Sequence, residues 1–64
     1  MMKEYSVNKF TWSDTWNIWY YPARSEDYDI YGEFSSKEQA EKALLQVQEG
    51  KIKLRHNMTD KDIA

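Results

Sequence analysis

The sequence predicts an α+β fold: an antiparallel three-stranded sheet packed against one helix, with a short extra strand after the helix and a flexible C-terminal tail. Three segments rich in β-branched and aromatic residues, separated by turn signals, fill residues 1–34. A single capped amphipathic segment follows them. The chain has 64 residues and no cysteine, so one domain must hold together on its apolar core without disulfides or thiolate metal sites. That domain is expected over residues 1–55, with 56–64 as a mobile tail.

The first strand is expected between Lys3 and Trp12. Tyr5 and Val7, then Phe10 and Trp12, change parity midway, which predicts a bulge near Asn8 and Lys9. Ser13-Asp14 signals a turn. The second strand runs from about Thr15 to Tyr21 and stops where Pro22 removes a ladder donor. After a polar loop, the third strand covers about Tyr28 to Phe34. Simple alternation puts Tyr28, Ile30 and Phe34 on one face and Asp29, Tyr31 and Glu33 on the other.

The stretch FSSKEQAEKALLQVQEG predicts a helix. Ser35 or Ser36 can serve as N-cap, with Glu38 or Gln39 three residues later to complete a capping box. Ala40, Ala43, Leu44 and Val47 form an apolar stripe of helical spacing, while Lys37, Glu38, Glu41, Lys42 and Glu49 face water. Gly50 is the expected C′ residue. Beyond it, Ile52 and Leu54 fit a short strand or an extended segment closing the core edge, and Thr59 can cap a brief helical turn with Asp62.

Composition narrows the function. The net charge of −2 is uneven: residues 1–34 hold three basic and six acidic groups, and residues 51–64 hold four basic and two acidic. That is a poor match to the concentrated basic surface of a nucleic-acid binder. No apolar run reaches the ~20 residues of a membrane span, and MMKEYSVNKF lacks the apolar stretch of a signal peptide, so the expected compartment is the cytoplasm. His56, the single histidine, sits in a polar stretch without partners for catalysis. Glu26, Asp27 and Asp29 match no oxygen-ligand loop, and capping accounts for Ser35 and Ser36. Neither an enzyme nor a cofactor or metal site is expected.

The unusual feature is the second strand, TWNIWYYP, which is aromatic on both faces. Three tryptophans, five tyrosines and two phenylalanines exceed what a four-residue helix stripe can cover. With Trp16, Ile18 and Tyr20 inward, Trp19 and Tyr21 are left outward, joined by Tyr31 and by Trp12 or Phe10. The opposite parity exposes Trp16, Ile18 and Tyr20 instead. Cross-strand aromatic pairs also stabilise thin sheets with no partner at all. As a binding surface, the aromatic patch with its acidic neighbours suits a protein partner carrying a basic rim.

The expected function is therefore a non-enzymatic protein-binding module, an inhibitor or modulator of a larger complex, using Trp12, Trp19, Tyr21, Tyr31, Glu26, Asp27 and Asp29. So compact a chain is also consistent with a phage or mobile-element origin. One alternative is nucleic-acid binding through the sheet aromatics with Lys9, Arg24, Lys51, Lys53 and Arg55. Another is a homodimer through the aromatic face.

Tyr5, Val7, Trp12 and Trp16, then YGEF at 31–34, SSKEQ, and Ala40 with Ala43 follow an order that resembles ethylene-response-factor domains and the arm-binding domains of some integrases. The resemblance covers about residues 5–48. It implies three antiparallel strands and a helix, with Trp12, Trp16 and Trp19 matching tryptophans that contact DNA. The strands depart from that pattern by offering Ser6, Asn8, Lys9, Asn17 and several carboxylates, with Arg24 alone supplying a guanidinium in the sheet region. Guanine contacts and phosphate neutralisation both require cations.

Overall fold

The computed structural model describes residues 4–21 and 27–64. Strands β1 (Glu4–Asn8), β2 (Trp16–Tyr21) and β3 (Asp29–Phe34) precede helix α1 (Lys37–Gln48), and a 3-10 turn at Asp60–Asp62 follows. The sheet is antiparallel in the order β1-β2-β3, so the doubly aromatic strand is its centre. Being central explains the composition of β2: both of its edges are paired, and both of its faces have neighbours to touch.

β1 and β2 pair in unbroken register from Glu4↔Tyr21 to Asn8↔Asn17. The expected bulge near Asn8 and Lys9 is replaced by the end of the strand. The chain leaves the sheet after Asn8 in a turn where the Ser13 amide donates to the Phe10 carbonyl at 3.0 Å. The Ser13 hydroxyl then accepts from the Thr15 amide at 3.1 Å, which starts the return strand. Leaving the ladder, rather than slipping within it, is what changes the parity of Phe10 and Trp12.

The irregularity lies in β3. Trp16 pairs with Phe34 but Ile18 pairs with Tyr31, so Gly32 and Glu33 together oppose Asn17. Gly32 has φ +76°, and a Cβ there would stand 2.5 Å from a Phe34 ring carbon. Only glycine meets both conditions. The extra residue turns Tyr31 and Phe34 to the same side and leaves Ile30 opposite Trp19 on the other. The alternation drawn from the sequence, with Phe34 beside Tyr28 and Ile30 and with Tyr31 outward, is thereby corrected.

The core lies between the sheet and α1. Ile18, Phe34, Ala40, Ala43 and Met58 form it, with Tyr5, Val7, Trp16, Tyr31, Leu44 and Val47 packed around them. Burying each of Ile18, Phe34 and Met58 contributes roughly 1.5–3 kcal/mol. The helix begins at N-cap Ser36, whose hydroxyl accepts from the Gln39 amide at 3.2 Å. It ends with Lys51 N–H on the Gln46 carbonyl and Gly50 N–H on the Val47 carbonyl, a Schellman closure that needs the φ of +79° at Gly50.

Residues 56–64, drawn from the sequence as a tail beyond the domain, pack into it. The Gly32 amide donates to the His56 carbonyl at 3.0 Å and the Glu33 amide to the Met58 carbonyl at 2.8 Å. Glu33 and Thr59 form a parallel bridge. The outer edge of β3 is thus covered by 56–59, while Ile52 and Leu54 pack on the core without forming a strand. Thr59 and Asp62 complete the expected capping box, and Asp62 also receives Arg55. Gln46, buried in the helix, exchanges two hydrogen bonds with the backbone of Ala64 at 3.0 and 2.8 Å. No helix among the described residues is long and apolar enough to cross a membrane.

Candidate functional site: an aromatic row on the outer sheet face

Once Ile18 is fixed inward, Trp19 must project from the opposite face, the one α1 does not cover. There it meets Phe10 at 5.1 Å between ring centroids and Tyr28 at 5.0 Å, the latter stacked within 25°. Phe10 stacks on Trp12 at 4.8 Å, and Tyr28 touches Tyr21 at 5.8 Å. Five rings therefore form one row, Trp12–Phe10–Trp19–Tyr28–Tyr21, running from the β1–β2 connection across β2 to the start of β3. The indole N–H of Trp19 donates to the Asn8 carbonyl at 3.3 Å. Its polar edge is satisfied within the sheet.

Exposure rises toward the ends of the row. Trp12 is 80% exposed, Tyr28 48% and Tyr21 38%, while Phe10 and Trp19 are half-buried between them. Glu4 pairs with Tyr21 across the β1–β2 ladder and shares its face. Asp29, expected there from the sequence, instead pairs with Tyr20 and accepts from the Tyr31 hydroxyl at 3.4 Å on the helix side. Exposed Asp27 precedes Tyr28 in the chain. At the other end stand Lys9, whose ammonium donates to the Ser13 carbonyl at 3.1 Å, and Glu33. Aromatic area with carboxylates at its margin disfavours an anionic ligand and favours a cationic one.

Trp12, Trp19 and Tyr21 are brought together by the fold. Tyr31 is not: across from Ile18 it packs on the core side and stacks on His56 at 4.4 Å. Burial, then the charge and hydrogen bond of Asp29, raise the Tyr31 hydroxyl above the usual tyrosine pKa, with smaller contributions from Tyr5 and Tyr20. Glu26 and Arg24 lie outside the described residues. The basic stretch Lys51, Lys53 and Arg55 sits where Ile52 and Leu54 anchor it to the core, on the side of the sheet away from the row. Lys51 there pairs with Glu49 at 3.5 Å and Arg55 with Asp62.

Tyr28 was missed as a row member, because alternation through β3 assigns it to the face of Phe34. A glycine inside a strand pattern is the signal that would have found it. Two open clefts border the row's Trp12 end. One, of about 350 Å³, is lined by Phe10, Trp12, Ser13, Thr15, Asn17 and Glu33. The other, of about 460 Å³, shares Thr15 and Glu33 with it and continues toward Asp60 and Lys61. Among the described residues no three His, Asp or Glu side chains gather as a metal site.

No family model, curated protein or solved structure matches the chain. The functional reading therefore rests on the chemistry of this face.

Proposed function

We propose that the chain is a small non-enzymatic protein-binding module whose docking surface is the aromatic row, and that it acts as an inhibitor or modulator by covering a surface on a larger partner. The observation that carries this reading is the continuous contact of five rings on the face that α1 leaves open. Isolated aromatic residues on a surface need no explanation, but contiguous Trp and Tyr are the composition of binding hot spots. Glu4 beside Tyr21 and Glu33 beside Trp12 suit a basic rim on the partner. The same charges oppose a phosphate backbone, which the tryptophan order of the DNA-binding resemblance would otherwise suggest.

Affinity capture from the source cell tests it, with the wild-type chain beside a folded Tyr21→Ala/Tyr28→Ala variant, which changes the exposed rings of the row and keeps Trp19. The wild type should retain a protein that the variant loses. Retention of every partner by the variant, or capture of nucleic acid that washes off with moderate salt, would overturn the reading.

A further inference from the structure

The cleft beside Trp12 combines three features that a purely structural turn does not require. Trp12 is 80% exposed and rests one ring face on Phe10, so its other face is presented to solvent. Glu33 is exposed and held by its backbone, whose N–H donates to the Met58 carbonyl and which bridges to Thr59, yet no basic side chain among the described residues pairs with it. Of the cations at this end, Lys9 donates to the Ser13 carbonyl, and Lys61 lines the adjoining cleft beside Asp60.

The third feature is Asn17, which is 6% exposed and forms part of the cleft lining. Its Nδ2 donates to the Gly32 carbonyl at 2.6 Å, which fixes the amide orientation. Its Oδ1 is left buried with no hydrogen-bond partner among the described residues. Buried acceptors are rarely left unpaired, because the desolvation cost is not recovered. The bulge at Gly32 creates both halves of this arrangement: it places Gly32 and Glu33 opposite Asn17.

An aromatic face and a carboxylate without a basic partner among the described residues, on a cleft whose wall includes Asn17, together call for a flat cation rich in N–H donors. A guanidinium stacks on an indole, bonds a carboxylate through a fork of donors and has others to spare, whereas an ammonium matches only the charge. A phosphate or carboxylate would meet Glu33 head-on. The adjoining cleft, which shares Thr15 and Glu33, leaves room for the chain that carries such a side chain. We infer that the Trp12–Glu33–Asn17 cleft receives an arginine side chain from a basic segment of the partner protein. The inference rests on the protein-binding reading above and specifies the partner's chemistry.

Amide correlation spectra of the isotope-labelled chain, titrated at low salt with capped Gly-Arg-Gly, Gly-Lys-Gly and Gly-Glu-Gly peptides, test it without knowledge of the partner. The arginine peptide should give saturable shifts at the Trp12 indole N–H and the Glu33 amide, with the lysine peptide several-fold weaker and the glutamate peptide inert. Glu33→Gln and Trp12→Ala should each weaken the arginine peptide about fivefold. Leu45→Ala, on the exposed helix surface, should bind as the wild type does. Spectral dispersion confirms that each variant is folded. Absence of saturable shifts, equal response to lysine, or undiminished binding by Glu33→Gln would overturn the inference. Shifts confined to Trp19, Tyr21 and Tyr28 would overturn the cleft while leaving the row as the docking face. Arginine binding at the cleft, with unchanged partner capture by Tyr21→Ala/Tyr28→Ala, would uphold the cleft and sink the row.

Discussion

Trp19 and Tyr28 stack at 5.0 Å between ring centroids on the sheet face opposite the helix, and this contact joins the two halves of the aromatic row. Trp19 also touches Phe10, so its removal breaks the row at its middle. Aromatic pairs add about 0.5–1.5 kcal/mol each beyond the area they bury. Trp19→Ala should therefore destabilise the fold by roughly 2–3 kcal/mol in urea unfolding. Trp12→Ala, at the exposed end with one ring contact, should cost no more than about 1.5 kcal/mol. A large loss for Trp12→Ala would mean that the turn depends on its indole, and that the exposed ring has a structural purpose.

Gly32→Ala should cost about 2 kcal/mol or more, since it combines a positive φ with a Cβ driven into the Phe34 ring. The denaturation midpoint checks this. A midpoint equal to that of the wild type would mean that β3 runs without the bulge, and Tyr31 would then return to the outer face.

Met58→Ala should be among the most damaging single changes, at about 2–5 kcal/mol, because Met58 is 1% exposed at the centre of the core. In a domain of this size such a loss approaches the whole stability. Hydrogen exchange offers a gentler check: the Gly32 and Glu33 amides, bonded to His56 and Met58 carbonyls, should exchange slowly. Fast exchange at both would contradict the packing of 56–59 against β3.

These two positions also mark how far the sequence could be read. The helix was legible because its start and stop signals are local: Ser36 and Gly50 act on the few residues beside them. The three strands were legible from residue type. The face of Tyr31 was not, since one left-handed glycine reverses parity without altering the apolar pattern around it. Met58 was not either, because a lone apolar residue in HNMTDKDIA carries no periodicity, and its burial is decided by β3, distant in the chain. In the candidate site, Trp12, Trp19 and Tyr21 followed from counting aromatic residues against a short helix stripe. Tyr28, Asn17 and Glu33 required the bulge.

Alkaline titration isolates Tyr31. Its hydroxyl ionises above the ordinary tyrosine value of 10.0 in the folded chain, mainly through burial and next through Asp29. The neutral phenol is favoured in the fold, so its contribution is fully present below pH 10 and is lost as pH rises from there through the folded-state pKa. Absorbance at the tyrosinate band should show one of the five tyrosines titrating late. Tyr31→Phe should remove that step, and Asp29→Asn should move it down. A late step that survives Tyr31→Phe would contradict the placement of this ring on the core side.

Hydroxyl-radical footprinting of the captured complex against the free chain tests the docking face most directly. Trp12, Trp19, Tyr21 and Tyr28 should lose reactivity in the complex, while Leu45 on the helix keeps it. Protection falling instead on Leu45 and the stretch from Lys51 to Arg55, with the aromatic row as reactive as in the free chain, would contradict the account.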